Sequence, residues 1–403
     1  MTTCQYADYC DLASMDTVLQ HSVGTERKKI IMIYLDNAAT TPVIPGVVSA
    51  MTESLSATFG NPSSIHSFGR QANQLVRQAR DTVAKALDVS NRNIIFTSGA
   101  SEANNQALIG YALANRDKGN HILTTAIEHP SVLNTVQYLR DRHGFDVTFV
   151  NPNPDGQFPA QLIEQNLQPD TILVSMMWAN NETGQLLPVA EVGRLLASHP
   201  AVFHVDATQV MGKIPVHPHE IGADFLTASA HKFHGPKGIG FLYYHEDLKF
   251  DALIHGGEQE EKRRAGTENL HSLVGMTKAL EIAIQNMDEN YQHVQKLNDS
   301  LLSLLSEIDF YKNEFGATMP HVINIAFPHQ NHDLLLTKLD LAGFAISTGS
   351  ACTAGTVEPS HVLEAVYGED SPKLKENLRI SFSELNTIDE INAFAEKLKS
   401  LLK

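Results

Sequence analysis

Lys232 is the residue whose surroundings point most directly to covalent chemistry. It lies in the segment SAHKFHGPKG (229–238), among hydroxyl, imidazole and glycine groups, where a strand should give way to a loop. Asp206 ends an apolar run, AVFHV at 201–205. Pyridoxal phosphate requires a lysine amine for its Schiff base and a carboxylate that keeps its pyridine nitrogen protonated. The pair predicts such a site, although lysine is abundant and an aspartate after a strand is most often a turn or cap residue.

The segment NIIFTSGASE (93–102) offers a cradle for the phosphate. Its apolar run predicts a short buried strand, Gly99 allows a tight turn, and Ser101 opens a helical pattern. Exposed N–H groups at a helix start bind anions, with help from the helix dipole. Ser229 and His231 could also donate to a phosphate. Alone, the pattern is more typical of an ordinary helix cap, and no Walker motif or dinucleotide fingerprint accompanies it.

Cys352 is a candidate nucleophile. It lies in STGSACTAGT (347–356), ten residues whose small side chains cannot build a core. Such a segment predicts a mobile surface loop. A free cysteine is usually a buried small hydrophobe, but this one has no apolar neighbours of any size. An accessible thiol with thiolate character is reactive.

A set of short motifs, running in order from Tyr34 to the C-terminus, resembles that of the cysteine desulfurases. Each motif is modest by itself, but the ordered set is specific to that family. The motifs are DNAATT (36–41), GNPSS (60–64), TSGASE (97–102), EH (128–129), NNETG (180–184), DATQ (206–209), the lysine segment, RAGTEN (264–269) and GSAC (349–352).

The resemblance implies a role for each matching residue. Lys232 would bind pyridoxal phosphate covalently, Asp206 would pair with the pyridine nitrogen, and His129 would stack on the ring and move protons. Arg379 would hold the substrate carboxylate, and Cys352 would accept the sulfur. The implied phosphate contacts are Gly99, Ala100, Ser101, Ser229 and His231, together with Thr267 from the other subunit of a homodimer. Asn181 and Gln209 would contact the ring hydroxyl. Asn37 and Asn181 would contact the substrate.

The implied reaction removes sulfur from L-cysteine and gives L-alanine and a persulfide on Cys352. An acceptor protein, either an iron–sulfur scaffold or a tRNA-thiolating enzyme, would then take the sulfur. A selenocysteine lyase shares almost every motif and stays an alternative, as does another class-V aminotransferase-type enzyme, which would not need Cys352. A further alternative is a protein without catalytic activity that keeps the fold for interactions with partners. The 19 histidines include no His-x-x-x-His pair, so no metal is predicted.

Composition sets the broad class of protein. The 403 residues exceed one typical core, and 42% of them are apolar, as in a globular chain. A net charge of −16 argues against direct binding of nucleic acid. Three cysteines give no disulfide framework, and no apolar run approaches membrane length. These features favour a cytoplasmic protein.

Apolar runs that alternate with helical patterns predict an α/β fold. The resemblance implies that this α/β fold is fold type I of the pyridoxal phosphate enzymes, with a mostly parallel seven-stranded sheet and a second, smaller α/β domain. Long helices are predicted across 271–308, and strands at 322–327, 344–347 and 378–382. The expected domains are 42–289, which binds the cofactor, and 32–41 with 290–403, which carries Cys352. Residues 1–31 are expected to be a disordered extension or a non-native start.

Overall fold

The computed structural model describes residues 32–349 and 359–402, which belong to one compact unit. The predictions for residues 1–31 and for the loop around Cys352 therefore lie outside the described residues. None of the described helices is both long and apolar enough to cross a membrane.

The described residues alternate between strands and helices for most of their length. The strands are β1 (Ile33–Tyr34), β2 (Ile94–Thr97), β3 (His121–Thr125), β4 (Asp146–Val150), β5 (Thr171–Met177), β6 (Val202–Asp206), β7 (Phe225–Ser229), β8 (Gly240–Tyr244), β9 (Tyr311–Lys312), β10 (Val322–Ala326), β11 (Phe344–Ala345) and β12 (Asn377–Ser381). The helices are α1 (Pro45–Ala57), α2 (Ser67–Leu87), α3 (Ala100–Ala114), α4 (Pro130–His143), α5 (Gln161–Asn166), α6 (Val189–Leu196), α7 (Leu270–Gln285), α8 (Met287–Leu304), α9 (His332–Leu341), α10 (His361–Tyr367) and α11 (Ile388–Leu402).

The large sheet has seven strands in the order β2-β8-β7-β6-β5-β3-β4. Strands β3 to β7 run parallel to one another, whereas β8 is antiparallel to both of its neighbours. Except for the edge strand β4, these strands are buried along their whole length, which explains their continuous apolar runs. The predicted mostly parallel, seven-stranded α/β sheet is confirmed.

Helices cover both faces of this sheet. On one face, Leu108 of α3 and Val136 of α4 belong to a fully buried cluster with Ile122. On the other face, Val83 of α2 and Leu280 of α7 belong to a second cluster. The sheet is therefore a rigid layer between helices, and its strand ends can hold side chains in fixed positions.

The C-terminal part of the chain builds a second sheet. This sheet has three antiparallel strands in the order β12-β10-β9, and the short β1 and β11 form a separate parallel pair. Helices α8, α9 and α11 pack on this sheet around Leu301, Leu335, Leu378 and Phe394. The helical stretch predicted at 271–308 is divided between α7 and α8 at Asn286. The division into two domains stays a prediction.

One edge of the large sheet collects the functional segments. Strands β3, β5, β6 and β7 are parallel, and β2 runs in their direction because both β2 and β7 are antiparallel to β8. Their carboxyl ends therefore lie on the same edge. Since β8 turns back beside β7, residues 230–239 form a loop at that edge and hold Lys232 there.

Candidate active site

A cleft of about 530 Å³ opens at this edge of the sheet. It brings together residues from widely separated parts of the chain. Asn37 and Thr267 do not line it, and Cys352 lies outside the described residues. The predicted site residues that line the cleft are Gly99, Ala100, Ser101, His129, Asn181, Asp206, Gln209, Ser229, His231, Lys232 and Arg379.

The Lys232 amine is held by backbone carbonyl groups. Lys232 ends a single 3-10 turn that follows β7, and its Nζ donates to the carbonyl oxygens of Ala38 at 2.5 Å and Ala39 at 2.9 Å. The neighbouring Thr41 contacts the carbonyl of His231 through its N–H at 2.8 Å and its hydroxyl at 2.9 Å. The segment 38–41 therefore helps to set the position of the amine.

Asp206 ends β6 and is only 6% exposed. Its Oδ1 accepts a hydrogen bond from the backbone N–H of Thr208 at 2.9 Å, and its Oδ2 accepts one from Nδ2 of Asn104 at 2.9 Å. Two donors thus hold the carboxylate in one orientation at the wall of the cleft.

His129 lines the cleft and is also the N-cap of α4. Its Nδ1 accepts a hydrogen bond from the backbone N–H of Ser131 at 3.1 Å. Burial lowers the pKa of His129, and Lys232 adds to this effect, whereas Asp206 opposes it. The ring is therefore neutral near pH 7.

The start of α3 is open to an anion. Its N-cap is Gly99, with φ of +147°, and no side chain caps the first turn. A Cβ at Gly99 would lie 3.4 Å from Oγ of Ser229, so this hydroxyl is close to the helix start. Glu102 would repel an anion, but Nε of Arg264 donates to it at 2.9 Å. Burial raises the pKa of Glu102, but the hydrogen bonds from Arg264 and Ser98 outweigh burial and lower it overall.

The residues present fit pyridoxal phosphate. Gln209 donates through Nε2 to the carbonyl of Ala38 at 3.1 Å. Its Oε1 is buried, has no partner in the part of the chain that the structure describes, and could accept from a ring hydroxyl. The uncapped start of α3 suits a phosphate. Asp206 suits a protonated pyridine nitrogen, and the Lys232 amine suits an aldehyde carbon.

Arg379 reaches the cleft from β12 and is only 1% exposed. Its Nη1 donates to the carbonyls of Asn181 at 3.0 Å and Gly349 at 3.3 Å, and its Nη2 pairs with Asp36 at 2.7 Å. Its Nε is buried without a partner among the described residues. A guanidinium with an unused N–H donor suits a carboxylate.

Sequence reasoning missed the residues that hold the charged groups of the cleft. Asn104 donates to Asp206, and Asp36 pairs with Arg379. The only signal for Asn104 was a polar residue on the buried face of α3, next to Ala103 and Ala107. Asp36 opens the DNAATT motif, but its role as the partner of Arg379 had no local signal, because the two residues lie 343 positions apart.

The chain is similar to known proteins over most of its length. The family model of class-V aminotransferases matches residues 33–394. A relative from Bacillus subtilis (strain 168) is 44% identical over 374 residues, 92% of this chain and 98% of the relative. Cysteine desulfurase IscS from Dictyoglomus turgidum is 40% identical over 378 residues, 92% of this chain and 96% of the relative. The solved structure of a NifS-like protein superposes with a TM-score of 0.86 at 36% identity, covering 92% of this chain and 99% of that one.

Proposed function

The chain belongs to the class-V aminotransferase family and is a cysteine desulfurase that uses pyridoxal phosphate, and we propose that Lys232, Asp206 and Cys352 carry its chemistry. The observation that supports this most is that Lys232, Asp206 and the uncapped start of α3 line one cleft. The other residues proposed to hold the cofactor are Gly99, Ala100, Ser101, Ser229 and His231 at the phosphate, Asn181 and Gln209 at the ring hydroxyl, and His129 against the ring.

Three charged groups of the cleft have separate tasks in this proposal. Bound pyridoxal phosphate supplies an electron sink that weakens the bonds at the α-carbon of the amino acid. Nζ of Lys232 accepts the α-proton, and Asp206 keeps the proton on the ring nitrogen. Arg379 orients the substrate carboxylate through donors that its protein partners leave unused.

Sulfur leaves the substrate by attack of the Cys352 thiolate. The carbon–sulfur bond of cysteine breaks and a sulfur–sulfur bond to Cys352 forms. The β-carbon keeps the electron pair and takes up a proton, and the Lys232 amine returns a proton to the α-carbon, which gives L-alanine. A persulfide is a reversible state of cysteine, so an acceptor protein can remove it.

We also propose a homodimer. Thr267 is exposed and does not line the cleft of its own chain, which is compatible with a contact to the phosphate site of a second copy. Phe59 and Ile65 are 76% and 91% exposed, and the rings of Phe59 and Phe68 lie 5.0 Å apart. An exposed apolar patch of this kind suits a protein interface. Sedimentation at several concentrations tests this proposal, and a monomer at micromolar concentration would contradict it.

The sulfur acceptor and the compartment stay predictions. An iron–sulfur scaffold or a tRNA-thiolating enzyme would serve as acceptor, because either receives sulfur from a persulfide. The cytoplasm is expected because a reducing compartment keeps the three cysteines as thiols.

The experiment is a single incubation of the loaded enzyme with L-cysteine, followed by mass spectrometry of its peptides. We expect alanine in the solution and one extra sulfur on Cys352. Cys352→Ser should bind the cofactor as before and form no persulfide. Extra sulfur on Cys4 or Cys10 with none on Cys352 would contradict the proposed nucleophile. Turnover of selenocysteine with none of cysteine would instead favour a selenocysteine lyase.

A further inference from the structure

Asn104 is a buried polar residue beside the cleft that has no role in the chemistry above. It lies in the second turn of α3 and is 0% exposed. Its amide contacts the side chains of Asp206, Ser131 and Thr227, which come from three separate segments of the chain. A buried amide with all of these partners is expected to be rigid.

The chemistry of the neighbours fixes the direction of these hydrogen bonds. An ionised carboxylate can only accept, so Nδ2 of Asn104 faces Asp206 and donates to Oδ2 at 2.9 Å. The hydroxyl of Thr227 donates to the amide oxygen at 2.6 Å. The second amide hydrogen goes to Oγ of Ser131, also at 2.9 Å. Since that oxygen accepts from Asn104, the hydroxyl proton of Ser131 is left to donate elsewhere.

Nδ1 of His129 is the acceptor within reach of that proton, 2.8 Å from Oγ of Ser131. The backbone N–H of Ser131 donates to the same nitrogen at 3.1 Å. A ring nitrogen that accepts from two donors carries no proton, so the proton of the neutral ring is on Nε2. Of the charged and titratable groups that act on His129, Lys232 and His361 favour the neutral ring and Asp206 favours the protonated one.

We propose that Asn104 is a positioning residue that orients Asp206 and, through Ser131, keeps the exchangeable proton of His129 on Nε2. Its part in the reaction rests on the proposed function. One amide thus connects the carboxylate assigned to the ring nitrogen with the imidazole assigned to proton transfer. Without this amide, the Ser131 hydroxyl could accept a proton from Nδ1, so His129 would protonate more readily. Asp206 would also lose one of its two donors.

The test compares Asn104→Leu, which has a similar shape and no amide, with Ser131→Ala and with a matched control. The control is Asn115→Leu, because Asn115 is buried at the other end of α3 and its amide donates only to the backbone carbonyls of Tyr111 and Lys249. NMR of the loaded enzyme with ¹⁵N-labelled histidine follows the titration of His129. The signal is assigned with His129→Gln.

We expect Asn104→Leu and Ser131→Ala each to raise the pKa of His129 by about one unit, a tenfold shift in its protonation. Asn104→Leu should also weaken cofactor binding about tenfold in equilibrium dialysis, because Asp206 loses a charge-assisted hydrogen bond. Asn115→Leu should lower the melting temperature but leave the pKa of His129 and the affinity for the cofactor unchanged.

Two results would overturn the proposal. In one, Asn104→Leu lowers the melting temperature while the pKa of His129 and the cofactor affinity stay at the wild-type values, so that the residue is only structural. The second result is an unchanged pKa of His129 in Ser131→Ala. This result decides against the proposal even if Asn104→Leu does not fold. Alanine formation by the wild-type enzyme tests the proposed function separately from these comparisons.

Discussion

The two ends of the cleft are built in different ways. The cofactor end consists of Lys232, Asp206 and the start of α3, which lie at or shortly after the ends of strands of one sheet. The carboxylate end consists of Arg379 with Asp36 and the carbonyls of Asn181 and Gly349, and its ion pair joins residues 343 positions apart. Strand direction alone places the first group, whereas the second exists only after distant segments have packed together. We therefore expect changes at the cofactor end to affect chemistry and changes at the carboxylate end to affect substrate binding and stability.

Lys232→Ala should give the largest effect, at the cofactor end. Loss of the amine removes both the covalent link and the proposed base, so kcat should fall at least 10²- to 10⁴-fold, roughly the contribution of general base catalysis. Steady-state alanine formation and the visible absorption of the bound cofactor measure this. Lys278→Ala is the matched control, because Lys278 is half-buried on α7 beside Glu281, away from the cleft lining. Lys237 lines the cleft and cannot serve as control. Normal turnover by Lys232→Ala would contradict the assignment of Lys232 as the covalent link and the base.

Asp206→Asn should separate binding from chemistry at the same end. The amide keeps the shape of the side chain but cannot hold a positive ring nitrogen, so kcat should fall about 10²- to 10³-fold, as when one preorganised electrostatic contact is lost. Exchange of the α-proton of cysteine with deuterated solvent measures the affected step. The cofactor should remain bound in this variant. Near-normal exchange would show that Asp206 is only a turn residue.

Arg379→Met should act on the carboxylate end. The apparent KM for cysteine should rise about 10- to 100-fold, because a charged hydrogen-bond partner of the carboxylate is lost. The free energy of unfolding should fall by about 3 kcal/mol, because the Asp36 carboxylate loses its partner. The side chain of Asp36 is only 19% exposed, so water cannot fully replace that partner. The double variant with Asp36→Asn should recover stability but not KM. Urea unfolding and steady-state kinetics measure the two effects, and a double variant no more stable than Arg379→Met would contradict the importance of the pair.

Acid should destabilise the fold through His204, which is fully buried on β6, two residues before Asp206. Burial lowers the pKa of His204 to about 4, while Asp206 opposes this shift. Between pH 6.5 and 4, His204 therefore binds a proton in the unfolded chain but not in the folded chain. The free energy of unfolding falls as the pH falls. The contribution of His204 is about 3 kcal/mol by pH 4. Urea unfolding across this range should show a smaller pH dependence for His204→Gln, and an unchanged slope would exclude His204 as the cause.

The same contrast explains what could be predicted from the sequence. Asp206 follows an apolar run directly, and Lys232 lies among the polar and glycine residues of 229–238 that predict the end of a strand, so local patterns placed both residues at strand ends. An apolar run carries no direction, so the reversal of β8 was not predictable. The bonds of Asn104 to Asp206 and of Asp36 to Arg379 depend on side chains that only the complete fold brings together.

The assignment of the cleft depends above all on Lys232 binding the cofactor at the end of β7. Borohydride reduction of the loaded enzyme, followed by proteolysis and mass spectrometry, locates the bound cofactor. We predict one phosphopyridoxyl group, attached to the peptide that contains Lys232. The same group on another lysine, with Lys232 unmodified, would contradict the assignment of this cleft.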